Sequence, residues 1–304
     1  MTKFSPLYGQ TKTRIRPGPF YRSVSVILYN KAMKIRYSSL FKKLFLCLAA
    51  AGGAFALYAL GAYLYTLHHV RPVTPLVPPS QTAPASSWRP NDISFVHQTN
   101  NRERLLKKSK KYNGFEIDTY TLPGEETVFV AHDLDQLKYK MTINTAFAMP
   151  QEAQNTYWWI DMKTLLTQSQ IDQILRAARR FGIPQDHLIF EPRMDHEEQA
   201  MLLKKNGLNV ILQIIGFYKE NLDERQTAEK VAEIQRLIDR IQPLAISSGM
   251  GNYPYLKTYF PHYPKAICYN TTKRPSLKKR FMKRQMQKDP SVIMLLTDEY
   301  DWDN

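Results

Sequence analysis

Eight side chains between residues 97 and 163 have the types and spacing to do chemistry together. Glu116 and Asp118 stand two apart in an apolar run, His132-Asp133 follows after thirteen residues, and Asp161 and Lys163 again stand two apart. His97 and Asn100 lie ahead of them. Residues i and i+2 of a strand share a face, so Glu116 projects with Asp118 and Asp161 with Lys163. Carboxylate oxygens suit a hard cation, Mg²⁺ or Ca²⁺. Such a cation offsets the charge of a phosphate, and Lys163 adds a second positive contact. Imidazole titrates near neutrality, so His97 and His132, on opposite sides of a phosphorus atom, suit base and acid. The plainer readings are rim salt bridges for Glu116 and Asp118, an internal ion pair for Asp161 and Lys163, and structural roles for the histidines. Two acids in an apolar strand nevertheless need partners, and a metal supplies them.

Something must hold these groups at one place. From Asn91 onward, short β-branched or aromatic runs alternate with amphipathic stretches. The runs predict strands over 93–97, 113–118, 156–161, 186–190, 209–214, 243–247, 265–269 and 292–296. Helical segments are expected near 101–111, 167–181, 195–206, 222–240, 252–259 and 275–287. Val231, Ile234, Leu237, Ile238 and Ile241 show the helical recurrence most clearly. Eight strands with intervening crossovers predict a compact (β/α)8 TIM barrel over residues 91–304. An extra run, 127–131, after Pro123-Gly124 reads as the return arm of a hairpin above the barrel mouth. In such a barrel, active-site residues occupy the C-terminal strand ends. His97, Glu116 to Asp118 and Asp161 to Lys163 fall there, with His132 on the hairpin arm. Glu191, Gln213, Ser247, Tyr269 and Asn270 also fall near strand ends. Trp158 and Trp159 read as packing.

At these residues a resemblance emerges. His97-Gln98-Thr99-Asn100, Glu116-Ile117-Asp118, His132-Asp133 and Asp161-Met162-Lys163, in that order, resemble the PLC-like phosphodiesterase superfamily, which includes glycerophosphodiester phosphodiesterases and sphingomyelinase D-like enzymes. Leu296-Thr297-Asp298 resembles the family's last strand. The resemblance implies a TIM barrel in which Glu116, Asp118 and Asp161 ligate one Mg²⁺ or Ca²⁺. It implies that His97 and His132 are the catalytic pair and that Asn100 and Lys163 contact substrate. Gln98 stands where glycerophosphodiesterases carry Arg, and their Glu-Asn-Thr segment is absent.

The rest of the chain bears on location. Residues 1–43 carry ten Lys/Arg and no acid, so only +5 of the formal +15 belongs to the remainder. A nucleic-acid partner is therefore not expected. This leader reads as a basic cytoplasmic tail, largely disordered. Residues 44–66 hold no charge and, at about 1.5 Å per residue, are long enough for a bilayer core. Lys42 and Lys43 before the run place the N-terminus in the cytoplasm and the barrel outside it, in the periplasm if the cell is a diderm bacterium. Residues 67–90, with Pro72, Pro75, Pro78, Pro79, Pro84 and Pro90, read as a semi-extended linker. Cys47 lies in the apolar run, so no disulfide with Cys268 is expected. The basic stretch from Lys273 to Arg284 reads as a solvated helix face, with a lipid-headgroup patch as the alternative. The expectation is a metal-dependent phosphodiesterase for a phospholipid or glycerophosphodiester-type headgroup. The rival is a barrel without catalysis that serves as an envelope-binding or scaffolding module.

Overall fold

In the computed structural model, which describes residues 19–70, 72–81, 88, 94–217, 222–269 and 277–297, the chain divides into two compact units, Met1–Leu60 and Gly61–Asn304. One long helix, α1 (Pro19–Val70), fills the described part of the first and begins the second. Pro19 occupies the first helical position, where its missing N–H costs nothing. No Gly or Pro follows until Gly52, so the basic segment read as largely disordered is helical from Pro19. Within α1, Leu40–Leu67 is long and apolar enough to cross a membrane. Its large side chains, Phe45 and Leu57 among them, are exposed.

The second unit is built on strands β1 (Ser94–Val96), β2 (Gly114–Tyr120), β3 (Phe129–Val130), β4 (Tyr157–Met162), β5 (Leu188–Glu191), β6 (Asn209–Gln213), β7 (Ala245–Gly249), β8 (Lys265–Tyr269) and β9 (Val292–Thr297). Eight of them pair in parallel in the order β1-β9-β8-β7-β6-β5-β4-β2, and pairing of β1 with β2 closes the barrel. β3 is the exception, antiparallel to the end of β2 through Thr119 and Val130. It is the expected hairpin arm. Gly124 adopts φ +78° after Pro123, and the Glu125 N–H donates to the Leu122 carbonyl, so the reversal is a type II turn needing glycine at its third position.

Helices α2 (Arg102–Lys108), α3 (Ile143–Phe147), α4 (Gln168–Arg180), α5 (Glu197–Lys205), α6 (Glu224–Ile241), α7 (Tyr253–Tyr259) and α8 (Leu277–Gln287) lie between the strands. α4 and α6 begin with reciprocal capping boxes, Thr167 with Gln170 and Asp223 with Gln226. The strand pleat splits the core in two. One set, including Phe115, Ile117, Trp158, Ile160 and Phe190, packs against helix residues such as Ile171, Ile174, Ile234 and Leu237. The alternate set, Phe95, Tyr157, Trp159, Ile189, Ile211, Ala245, Ala266 and Met294, fills the barrel interior. This apolar plug floors whatever sits at the C-terminal strand ends. Trp158 and Trp159 are fully buried, one in each set, as packing residues.

The linker is more than a spacer. Val73 and Val77 pack against the core, the Leu76 N–H donates to the Tyr259 hydroxyl at 3.1 Å, and the Ser80 N–H donates to the Tyr259 carbonyl at 2.7 Å. Thr258 donates to the Val73 carbonyl, and Trp88 meets Tyr157 edge-on against the interior plug. The linker's prolines keep residues 72–81 out of helix and strand. The intervening valines then dock that backbone on α7. Neither Cys47 nor Cys268 forms a disulfide.

Candidate metal centre

β2 and β4 run side by side, with Asp118 opposite Asp161 and Glu116 opposite Trp159. Because Trp159 lies in the interior plug, Glu116, Asp118 and Asp161 point into the barrel above it. One ligand oxygen from each of the three lies within 4.8 Å of the others. Glu116 and Asp118 are almost completely buried, each 1% exposed.

The loop after β1 holds β2 in place. Gln98 takes φ +51°, a left-handed conformation uncommon outside glycine, and this turns its backbone N–H onto the Glu116 carboxylate. Thr99 clamps the Glu116 carbonyl with both its N–H (2.9 Å) and its hydroxyl (2.6 Å). Asn100 uses both ends of its amide on Asp118: its Nδ2 donates to Oδ2, and its Oδ1 accepts from the backbone N–H at 2.8 Å. Expected at substrate, Asn100 thus orients a carboxylate first. It also lines a cleft of about 450 Å³ with Asn101, Arg102, Glu103, Leu106 and Met141.

Lys163 bridges two of the acids, with Nζ 2.8 Å from Asp118 Oδ1 and 2.5 Å from Asp161 Oδ2. The internal ion pair read from sequence for Asp161 and Lys163 is present, and it extends to Asp118. Burial pushes the Glu116 carboxyl well above the usual carboxylate range, and the charges of Asp118 and Asp161 push it the same way. Asp161 is also raised, by burial against the opposing pull of Lys163. Burial works to lower Lys163, but Asp161 and Asp118 outweigh it and hold the ammonium above its ordinary value. So one lysine does not satisfy the acids.

The two histidines differ. His97 is buried, on the interior-facing side of β1 two residues after Phe95, and its backbone N–H donates to the Thr297 carbonyl. His132 follows Ala131, whose N–H binds the Asp118 carbonyl. Its side chain is 46% exposed and lies 3.6 Å from Asp133. When protonated it still lowers Asp161, so it belongs to the field of the site.

No protein-family model matches the chain, and no curated protein does. Solved structures do. A glycerophosphodiester phosphodiesterase from Parabacteroides distasonis is 11% identical, with a TM-score of 0.44 over 68% of this chain and 93% of that one. Orotidine 5'-monophosphate decarboxylase from Sulfolobus solfataricus is 10% identical, with a TM-score of 0.42 over 69% of this chain and 90% of that one. A putative mandelate racemase/muconate lactonizing enzyme from Sorangium cellulosum is 11% identical, with a TM-score of 0.41 over 67% of this chain and 52% of that one.

A fourth acid completes the interior. Glu191 ends β5 opposite Asp161, buried, accepting from Trp159 Nε1 at 2.8 Å and from the Ser247 hydroxyl at 2.5 Å. Burial, then the charge of Asp161, push its carboxyl up to about 8 despite those two donors. No motif marks Glu191. Its signal was local: a single acid closing the apolar run Leu188-Ile189-Phe190 at a strand end. Ser247 belongs with it as a partner. Gln213 ends β6, and Tyr269, at the end of β8, packs in the outer core set. Asn270 and Asp298 lie outside the described residues.

The donor set fits a divalent cation. Three oxygen ligands converge at one end of a sealed barrel, and burial leaves their negative charge under-compensated by Lys163. The arrangement can hold a hard cation with the Lys163 ammonium beside it.

Proposed function

We propose that the barrel is a cation-dependent phosphodiesterase acting on a phospholipid or glycerophosphodiester-type headgroup. The observation that carries the reading is the convergence of Glu116, Asp118 and Asp161 within 4.8 Å at the barrel mouth, with Lys163 on two of them. The motif order that resembles PLC-like phosphodiesterases supports it. Glu116, Asp118 and Asp161 would hold one Mg²⁺ or Ca²⁺, which when bound supplies positive charge against the phosphate oxygens. Glu116 and Asp161 must be ionised to serve, so loading releases protons where their raised carboxyls still carry them. Asn100 and the Gln98 N–H keep the carboxylates aimed. Lys163 gives a phosphate oxygen its second cationic partner, and Asn100 presents the rim of the adjoining cleft to substrate. His97 from the interior and His132 from the hairpin arm exchange the protons of attack and departure. Hydrolysis by water and transfer to a substrate hydroxyl use the same groups.

Leu40–Leu67 would anchor the protein in a membrane with the N-terminus in the cytoplasm and the barrel outside it. The full chain in lipid nanodiscs, given a panel of choline, ethanolamine and glycerol phosphodiesters, is expected to turn over at least one of them with Mg²⁺ or Ca²⁺. EDTA should abolish turnover, and His132→Ala should lower it by about 10²-fold or more. The half-exposed position of His132 favours one second reading, a barrel that binds headgroups without cleaving them. Cation-dependent headgroup binding with no turnover across the panel would establish that reading instead.

A further inference from the structure

α8 has a composition and a position that the proposed chemistry does not use. Its eleven residues, Leu277–Gln287, include five Lys/Arg and no acid. Met282 and Met286, one turn apart, are buried in the outer core set. Arg280, Arg284 and Gln287 recur at three- and four-residue spacing and are exposed, so they share the face turned away from those methionines. On the flank of α8, Phe281 meets the ring of Tyr63 edge-on, with centroids 5.8 Å apart and planes at 80°. Tyr63 lies in the last turns of the apolar stretch Leu40–Leu67. Tyrosine at such a place marks the level of lipid headgroups when the stretch spans a bilayer.

From these contacts we propose that α8 is a headgroup-binding surface whose Arg280, Lys283 and Arg284 engage anionic phospholipids of the membrane that α1 crosses. The inference rests on α1 being membrane-spanning, and it does not depend on the barrel's chemistry. Lysine and arginine near a charged bilayer attract anionic headgroups over about a Debye length, and the attraction is screened by salt. The methionines hold the helix on the barrel, and the Phe281–Tyr63 contact holds it beside the end of the apolar stretch. Its cationic face is the one that meets the lipid phosphates. A nucleic acid would meet the same charge. The aromatic contact with the apolar helix is what favours a lipid surface.

The test uses the full chain carrying Gln287→Cys, with Cys47→Ser and Cys268→Ser, labelled at the introduced thiol with an environment-sensitive NBD dye. Gln287 is exposed and uncharged, so the label leaves the cationic residues intact. The protein is reconstituted in nanodiscs of phosphatidylcholine alone or with about one-third phosphatidylglycerol. Blue-shifted emission and roughly twofold stronger quenching by headgroup-level spin-labelled lipid are expected in the anionic discs. Both effects should vanish in high salt and in the Arg280→Glu/Lys283→Glu/Arg284→Glu variant. Equal emission and quenching in the two discs, at low salt and with intact α8, would overturn the proposal. Failure of the chain to enter either disc would instead overturn the membrane-spanning reading, and the proposal with it. The lipid and salt comparisons need no charge variant, so misfolding of the triple mutant would not rescue the proposal.

Discussion

Lys163 occupies the space between two acids that would serve a cation, and its ammonium opposes any second positive charge there. Replacing it with methionine keeps the length and removes the charge. Lys163→Met is expected to tighten cation binding by on the order of tenfold, while turnover falls because the phosphate loses a cationic partner. Calorimetric cation titration beside an activity assay separates the two effects. Weaker cation binding in the variant would mean that the lysine orients the ligands more than it competes with a metal. Glu191 makes a different prediction, about pH. Its folded carboxyl is raised from an ordinary 4.5 to about 8, chiefly by burial. The fold therefore prefers the protonated form, and the unfolded chain releases that proton first. Stability from this group is fully present below about pH 4.5 and is lost as pH rises toward 8. In metal-free protein, Glu191→Gln should flatten this part of the stability–pH curve by up to about 1.4 kcal/mol per pH unit. Denaturant melts at pH 5, 6, 7 and 8 would show it, and an unchanged slope would count against a buried, protonated Glu191.

At the level of elements, the barrel strands were the most legible part of the sequence. Each run of β-branched and aromatic residues from 93–97 to 292–296 became a strand of the closed parallel barrel, with ends shifted by two residues or so. Periodicity does that work when one face is buried in a plug and the other under helices. α3 was not legible, because five residues give no 3.6-residue repeat. The helical start of α1 was hidden by basic composition, although the absence of Gly and Pro between 20 and 51 allowed it. In the site, Glu116, Asp118 and Asp161 were readable from their two-residue spacing and motif order. Glu191 was readable as a strand-end residue but not as a fourth acid opposite Asp161, which depends on strand register, and the Gln98 backbone donor depends on a positive φ. Proline content suggested a semi-extended linker over 67–90 and gave no sign that residues 72–81 dock. That docking is testable. Tyr259→Phe removes the acceptor of the Leu76 N–H and should cost about 1 kcal/mol. Faster proteolysis within 72–81, with the barrel's melting barely altered, is the expected signature. Unchanged cleavage would show that Val73 and Val77 hold the strap alone.

Over the whole molecule, one end of a closed barrel gathers buried acids beneath a hairpin arm, and the chain also carries one apolar stretch of membrane-spanning length. The functional reading depends on whether those acids hold a cation. Isothermal titration of the full chain with Mg²⁺ and with Ca²⁺, beside Asp118→Asn, asks this without an assumed substrate. Asp118 is held by Asn100 and Lys163 at the centre of the cluster, so its isosteric amide should disturb charge more than shape. The expected result is one cation bound per chain, more tightly as pH rises from 5 to 8, with affinity lost or reduced by about tenfold or more in Asp118→Asn. Absence of cation binding by folded protein, or binding untouched by the substitution, would contradict the metal centre and the phosphodiesterase built upon it.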